Sequence, residues 1–334
     1  MQQRIVKVIL PVKQKGSGLE LLDADESIFY WLEESNSVNV VISILADSGQ
    51  TESLMDKFER RFGKTDGFKL IVLPVEASIP RKKEEVKPEP KSVVKAKEKK
   101  SPRISREELY ADIVGSTEMS NIYIIFVILS TIVAAIGLMK GNVAVIIGAM
   151  VIAPFLGPSV ALALSATLGD NKLRNNALRA SIAGFSLVIF LSSAIGFFFT
   201  VDPGIPEIAS RTQTGISDIL LALASGAAGV LAFTTGAPAI VIGVMVAVAL
   251  LPPLTVFGLL MGSGDYNLAA GAFLLFLTNI ICINLAGVTT FLFQGVSPRT
   301  WWEAKKAKKA TRKTLAIWII TLALLVVVIL LWSK

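Results

Sequence analysis

The stretch IGAMVIAPFLGPSVALALSATLGD, residues 147–170, is written a second time as IGVMVAVALLPPLTVFGLLMGSGD, residues 242–265. The two copies align without a gap at an offset of 95 residues and are identical at nine of 24 positions. Shared glycine, proline and aspartate at one fixed spacing argue against a chance match between two leucine-rich stretches. Further matches at the same offset predict an internal repeat, with copies at 116–199 and 211–294.

Both copies carry proline near the middle of an apolar segment that is too long for a simple membrane span. As one straight helix, 142–169 would extend roughly 42 Å, against a hydrocarbon core of about 30 Å. Proline removes a backbone donor and collides with the preceding turn, so it interrupts a helix. The sequence therefore predicts a broken helix in each copy, at Pro154, Gly157 and Pro158 and again at Pro252 and Pro253.

The second half of the chain supplies seven apolar segments, three in each copy of the repeat and one left over. They are 119–138, 142–168, 177–200, 215–233, 238–262, 267–293 and 314–332. If each broken segment crosses fully, the copies are inverted; if each is a re-entrant hairpin, they are parallel. Basic residues such as Lys172 and Arg174 would face the cytoplasm only with full crossing, which the positive-inside rule favours.

These patterns predict an α-helical membrane protein with seven transmembrane helices, a 3+3 inverted repeat and broken helices. Residues 1–76 alternate strand-like and helical runs in the order β-α-β-β-α-β, with a hairpin turn at Ser35–Ser37. This order predicts a small α+β, ferredoxin-like cytoplasmic domain. Residues 77–105 read as a charged Pro/Lys/Glu linker, and 106–334 as the transmembrane domain with 314–332 as its extra helix.

Composition narrows the chemistry that is open to the chain. It has no histidine and one cysteine, Cys282, which argues against zinc or redox-cysteine chemistry and a disulfide framework. The stretch Arg81–Arg106 carries 11 basic and four acidic side chains, without the interleaved aromatic residues of a nucleic-acid surface. We expect no cofactor, no nucleic acid and no enzyme activity, and anionic lipid headgroups as a partner.

A broken helix at mid-membrane must line a cavity or be buried in protein, because lipid cannot satisfy its free backbone groups. Crossed breaks from inverted repeats form the substrate site of many transporters, whereas proline kinks that only serve packing are the plainer interpretation. No charged residue lies at mid-depth in the seven segments, so a proton relay is not expected. The candidate solute path consists of Pro154, Gly157, Pro158, Ser159, Pro252, Pro253, Thr255, Asn279 and Asn284.

Two further sets of residues are assigned to the membrane surfaces. Asp170 and Asp265 either guard the two mouths of the path or cap helices at the surface. The segment 299–313 reads as an interfacial amphipathic helix on the cytoplasmic leaflet, leading into segment seven. Its lipid-surface candidates are Trp301, Trp302, Lys305, Lys306, Lys308 and Lys309.

The motif GAMVIAPFLGPSVAL at 148–162, after a domain ending FERRFGKTDGFKLIVLPVEASIPR, resembles the prokaryotic family known as domain of unknown function 389. The likeness extends from about residue 4 to residue 294. The second copy departs from the motif, with Ala249 in place of Pro154 and Pro252 in place of Gly157. The resemblance implies the membrane architecture and no activity.

The sequence thus predicts a multi-pass protein of the cell membrane with a cytoplasmic N-terminal domain. The leading expectation is a transporter or channel-like protein that passes a small solute or ion at the two breaks. The alternative is a membrane-anchored sensor whose cytoplasmic domain binds a metabolite or partner. The open sheet of that domain also suits self-association into a homo-oligomer.

Overall fold

A computed structural model of the chain describes residues 3–23, 28–33, 38–75, 104–235, 239–296 and 301–332. Of residues 48, 239–248, 301–306 and 332 it describes the backbone alone. The chain divides into two compact units, Met1–Leu109 and Tyr110–Lys334. The predicted hairpin turn at Ser35–Ser37 and residues 77–103 of the predicted linker lie outside the described residues.

In its described residues between 3 and 75, the N-terminal unit forms a four-stranded antiparallel sheet and two α-helices. In chain order its elements are β1 (Gln3–Pro11), α1 (Lys15–Asp23), β2 (Phe29–Glu33), β3 (Asn39–Asp47), α2 (Ser48–Phe62) and β4 (Lys69–Pro74). The strands lie in the order β2-β3-β1-β4, and each described neighbouring pair is antiparallel. The element order agrees with the order predicted from the sequence.

The core of this unit lies on one face of the sheet. Val6, Val8 and Leu10 of β1 are fully buried, while the residues between them are half-buried on the other face. Phe58 and Phe62 of α2 are also buried in this core, and their rings stack with centroids 6.2 Å apart. The period of two in β1 therefore separates a helix-covered face from an open one.

The second unit is helical throughout the part that the structure describes. Its elements are α3 (Arg106–Gly115), which begins before the boundary of the units, α4 (Asn121–Met139), α5 (Val143–Ile152), α6 (Leu156–Leu168), α7 (Asn171–Phe198), α8 (Pro206–Ala209), α9 (Ile216–Thr235), α10 (Ala239–Ser263), α11 (Tyr266–Phe293) and α12 (Trp301–Trp332). Within the described residues, five helices are long and apolar enough to cross a membrane, or six if the bent pair α5–α6 is one span. These apolar helices are those of a multi-pass membrane protein.

Helix boundaries recur at the offset of the sequence repeat. Helix α4 begins at residue 121 and α9 at 216, and α7 spans 171–198 where α11 spans 266–293. The bent pair α5–α6 occupies 143–168, and α10 occupies 239–263. Equivalent stretches of the two copies therefore form equivalent helices, with one difference in the middle.

That difference corrects the prediction of two broken helices. The first copy is interrupted at residues 153–155, where α5 and α6 meet at 55°. The second copy is not interrupted, because α10 continues through Pro252 and Pro253 as one helix of 25 residues. The segment 299–313 is also not a separate interfacial helix, since α12 runs without a break from Trp301 to Trp332.

Small residues bring α7 and α10 into close contact. A side chain at Gly258 would meet Ser192, and one at Gly262 would meet Ser193 and Phe197. Glycine and serine at such crossings let two helix backbones approach closely, as in membrane helix pairs. Because higher residue numbers on α7 meet higher numbers on α10, the two helices run in the same direction.

The pair α9 and α11 also runs in one direction. Gly226 lies against Ile283, and Gly287 lies against Val230 and Ala163. In the other copy of the repeat, Ser192 corresponds to residue 287 and Gly258 corresponds to residue 163. These two residues are themselves in contact. The interface of α7 with α10 therefore has an equivalent in the interface of α11 with α6.

Candidate functional site

The break between α5 and α6 exposes main-chain groups that a continuous helix would pair. Pro154 and Pro158 have no N–H, so the carbonyls of Met150 and Pro154 lack their helical donors. No side-chain hydrogen bond caps the start of α6 at Phe155. The break thus sets carbonyl groups at the end of α5 beside the N-terminus of α6, and the side chain of Phe155 is buried.

The break is covered on one side by the turn that follows α3. Gly157 lies so close to Ser116 that a Cβ at this position would be 2.6 Å from the Ser116 carbonyl oxygen. Glycine is therefore required at 157 by packing, independently of any bound solute. Ser116 is held in the turn by its hydroxyl, which donates to the Ile113 carbonyl at 2.7 Å.

The second copy keeps its helix because a side chain replaces the donor that proline lacks. Pro253 cannot donate to the Ala249 carbonyl, and the Asn279 side-chain amide of α11 donates to that oxygen at 2.7 Å. The residue equivalent to Asn279 in the first copy is Gly184, which has no donor to offer. This exchange, together with Ala249 in place of Pro154, explains why one copy is broken and the other is not.

The remaining polar residues of the predicted path bond mainly to their own helices. The hydroxyls of Ser159 and Thr255 donate to the carbonyls of Phe155 and Leu251, each at 2.8 Å. The Asn284 amide donates to the Ile280 carbonyl at 2.9 Å.

Two side-chain oxygens of the path keep their acceptor capacity. The Oδ1 atoms of Asn279 and Asn284 are buried and accept no hydrogen bond within the described part of the chain. Their side-chain N–H groups are fixed by bonds to backbone carbonyls, so each Oδ1 presents only acceptor sites. Buried amide oxygens normally find a donor, and these two are open to one from a solute.

A line of phenylalanine rings, which was not predicted from the sequence, runs from the break to α10. The rings in contact are, in order, Phe155, Phe185, Phe276, Phe273 and Phe257. Neighbouring centroids are 4.9 to 6.2 Å apart, within the range of favourable aromatic contacts. These five rings therefore form a continuous chain of contacts from the break to α10. A sequence signal existed in the i, i+3 spacing of Phe273 and Phe276.

A cavity of ≈ 440 Å³ lies elsewhere in the second unit. Its lining residues are Thr212, Gln213, Thr214, Asn267, Leu268, Gly271, Leu274 and Ile329. It is formed by the loop before α9, the first turns of α11 and Ile329 of α12. None of the predicted path residues lines it.

Asp170 acts as a helix cap, whereas Asp265 does not. Asp170 Oδ1 accepts from the backbone N–H of Lys172 and Leu173, and its Oδ2 accepts from the Tyr110 hydroxyl at 2.7 Å. Burial alone would raise the pKa of Asp170, but these hydrogen bonds outweigh it and the pKa is lowered. The same hydrogen bond raises the pKa of Tyr110 to about 12. The side chain of Asp265 accepts only from the Ser263 hydroxyl among the described contacts.

Of the lipid-surface candidates, Lys308 and Lys309 are exposed, and the side chains of Trp301, Trp302, Lys305 and Lys306 lie outside the described residues. This end of α12 packs against the end of α6. Ala307 lies against Gly169, and the Thr311 hydroxyl donates to the Ala166 carbonyl at 2.9 Å. These contacts explain why the basic segment continues α12 in place of forming a separate helix.

Comparison with known proteins places this architecture in a family. The family model for domain of unknown function 389 matches residues 150–285, which contain the break, α10 and Asn284. The chain is 34% identical to the uncharacterized protein MJ0678 of Methanocaldococcus jannaschii over 319 residues, 96% of each chain. No solved structure matches the chain. The resemblance seen in the GAM–P–GP motif is thereby confirmed, and the chain belongs to the family described as domain of unknown function 389.

Proposed function

We propose that the protein is a transporter or channel-like protein that passes a small neutral, zwitterionic or singly charged solute between the α5–α6 break and α10–α11. The observation that carries this proposal is the buried break, with carbonyls freed by proline beside an uncapped helix N-terminus. Two asparagine oxygens on α11 without donors add hydrogen-bonding capacity. No charged side chain lies at mid-depth in the spans, so multiply charged solutes are poorly matched.

The proposal includes seven spans, an inverted repeat and a cytoplasmic N-terminus in the cell membrane. The parallel course of α7 and α10 supports inversion: α11, the equivalent of α7, follows α10 after a two-residue turn and returns along it. Full crossing of α5–α6 is supported by contacts at its two ends. Gly141, before α5, lies against Glu207 of α8, which follows the end of α7. Asp170, after α6, directly precedes the start of α7 and accepts a hydrogen bond from Tyr110. The two ends of the α5–α6 pair therefore belong with opposite ends of α7.

The phenylalanine line corresponds to a closed state of this path. Opening requires the rings of Phe155, Phe185 and Phe276 to separate, and Phe185 contacts both of the others. An aromatic contact is worth about 0.5–1.5 kcal/mol beyond its buried area. Removing the central ring therefore lowers the barrier to opening by about 1–3 kcal/mol, which raises the rate of opening roughly five- to 150-fold.

The test is flux into proteoliposomes that contain the full chain, with glycerol, glycine and potassium as separate probes. We expect Phe185→Ala to raise the flux of at least one probe by roughly tenfold over the unchanged chain. Phe190→Ala is the matched control, because Phe190 lies on the same helix and is 71% exposed. It should leave the flux unchanged.

The competing function is a membrane-anchored regulatory protein whose N-terminal unit, which we assign to the ferredoxin-like class, binds a partner. The observation in its favour is the large apolar exposure of β2, where Phe29 is 65% exposed. A purely regulatory protein would move none of the three probes in any variant. That result would overturn the transport proposal and favour the regulatory one.

A further inference from the structure

The open face of the N-terminal sheet is apolar over most of its area. We define the open face as the sheet surface opposite the core, on which the residues form three rows across β2, β3, β1 and β4. The first row is Phe29, Leu45, Ile5 and Leu73. The second row is Trp31, Ser43, Lys7 and Ile71. A sheet face that stays in water is normally polar, so this face is built to be covered.

The third row gives the open face two charged corners of opposite sign. It consists of Glu33, Val41, Ile9 and Lys69, with Glu33 on one edge strand and Lys69 on the other. Glu33 also accepts from Ser43 at 2.6 Å and pairs with Lys7 at 2.7 Å, which fixes its carboxylate on this face. Charge is therefore confined to one corner on each edge and to Lys7 near the middle, which pairs with Glu33.

This arrangement is complementary to itself under one rotation. When a second copy is turned half a revolution about an axis parallel to the strands, its β4 faces β2 of the first copy. Glu33 then faces Lys69 of the second copy, and the all-apolar first row faces the same row. A half turn about the perpendicular in-plane axis would set Phe29 against Glu33, which would bury a carboxylate against an apolar ring.

We propose that the open face binds the open face of a second copy of this chain, so that two N-terminal units form a two-fold dimer. The strands of the two sheets then lie nearly aligned, as in sandwich packing, about 10 Å apart. The pairing is isologous: each Glu33–Lys69 contact occurs twice, once at each edge.

The size of the open face determines where this dimer forms. Four strands and three rows cover roughly 400 Å² per copy, from the ordinary strand spacing and rise. This area is below that of a standard stable interface. Two chains held in one membrane meet at a high effective concentration, which compensates for a weak contact. The dimer is therefore expected for the full chain in a bilayer.

Cross-linking between two distinguishable chains tests the rotation as well as the contact. The native Cys282 is fully buried, so an introduced cysteine is the accessible thiol. Full chains with Glu33→Cys and with Lys69→Cys, differently tagged, are mixed in liposomes and treated with a short bis-maleimide. We expect a cross-linked product that carries both tags. Each variant alone should give none, because identical positions lie roughly 14 Å apart, three strand spacings, before the gap between the sheets is added.

Two substitutions on one strand separate face pairing from other contacts. In the mixed liposomes, Trp31→Glu in both chains should lower the cross-linked yield at least tenfold. Leu32→Glu, the neighbouring residue on the other side of β2, should change it less than twofold. Three outcomes would each overturn the proposed dimer. The first is equal cross-linked product from like and mixed chains, the second is no product at all, and the third is an equal effect of Trp31→Glu and Leu32→Glu. The last two outcomes would fit an open face that lies on lipid or another protein.

Discussion

Asn279 is the residue on which the difference between the two repeat copies depends. It donates to the Ala249 carbonyl, which Pro253 leaves without a helical donor. A buried carbonyl without a donor costs about 1–3 kcal/mol, so we expect Asn279→Leu to lower the free energy of unfolding by that amount. Denaturant titration of the full chain in detergent micelles measures this loss.

The same bond can be tested by rescue. Pro253→Ala restores a backbone N–H four residues after Ala249, so the double variant should recover most of the stability that Asn279→Leu removes. Thr278→Val is the neighbouring control, since the Thr278 hydroxyl bonds only within α11 among the described contacts. Additive losses in the double variant would contradict this role of Asn279.

At single residues, the sequence identified polar groups but not their partners. Asn279 and Asn284 stood out as amides in an apolar helix, which is visible from composition alone. Asn279 donates to a carbonyl 30 positions earlier, and this contact depends on the packing of α10 on α11. Asp170 caps α7 through the nearby N–H groups of Lys172 and Leu173, but its hydrogen bond from Tyr110, 60 positions earlier, likewise depends on tertiary packing.

At the scale of helices, glycines in contact matter more than glycines that repeat. Gly262 has the backbone of α7 against it, whereas Gly148, present in both copies, has open space around its Cα. We expect Gly262→Ala to separate α7 from α10 and lower stability by about 1–3 kcal/mol, the usual cost of overpacking. Gly148→Ala should be neutral or slightly stabilising, because alanine favours helix. Denaturant titration of both variants checks this, and equal losses would contradict it.

Helix positions followed from the sequence, but helix continuity did not. The apolar segments predicted the ends of the helices of both copies to within two residues, because length and polarity are local properties; the exception is α7, which begins at residue 171 and not at 177. The prolines predicted one break in each copy, but only the first copy is broken, at Pro154. The outcome at Pro252 and Pro253 was decided by a tertiary hydrogen bond and by Ala249, which keeps the preceding turn helical.

At the scale of the whole molecule, the proposed inversion of the repeat predicts that equivalent loops lie on opposite membrane surfaces. Lys172 follows α6, and Tyr266 follows α10 at nearly the equivalent position of the second copy. Both residues lie at a helix start, and Tyr266 is 65% exposed. We expect Lys172→Cys and Tyr266→Cys to react with an impermeant maleimide from opposite sides of sealed vesicles, with buried Cys282 silent. Lys309→Cys, on the basic end of α12 that packs against α6, should react from the same side as Lys172→Cys. Labelling of Lys172→Cys and Tyr266→Cys from one side would exclude inversion, and the break in α5–α6 would then belong to a re-entrant hairpin in place of a crossing path.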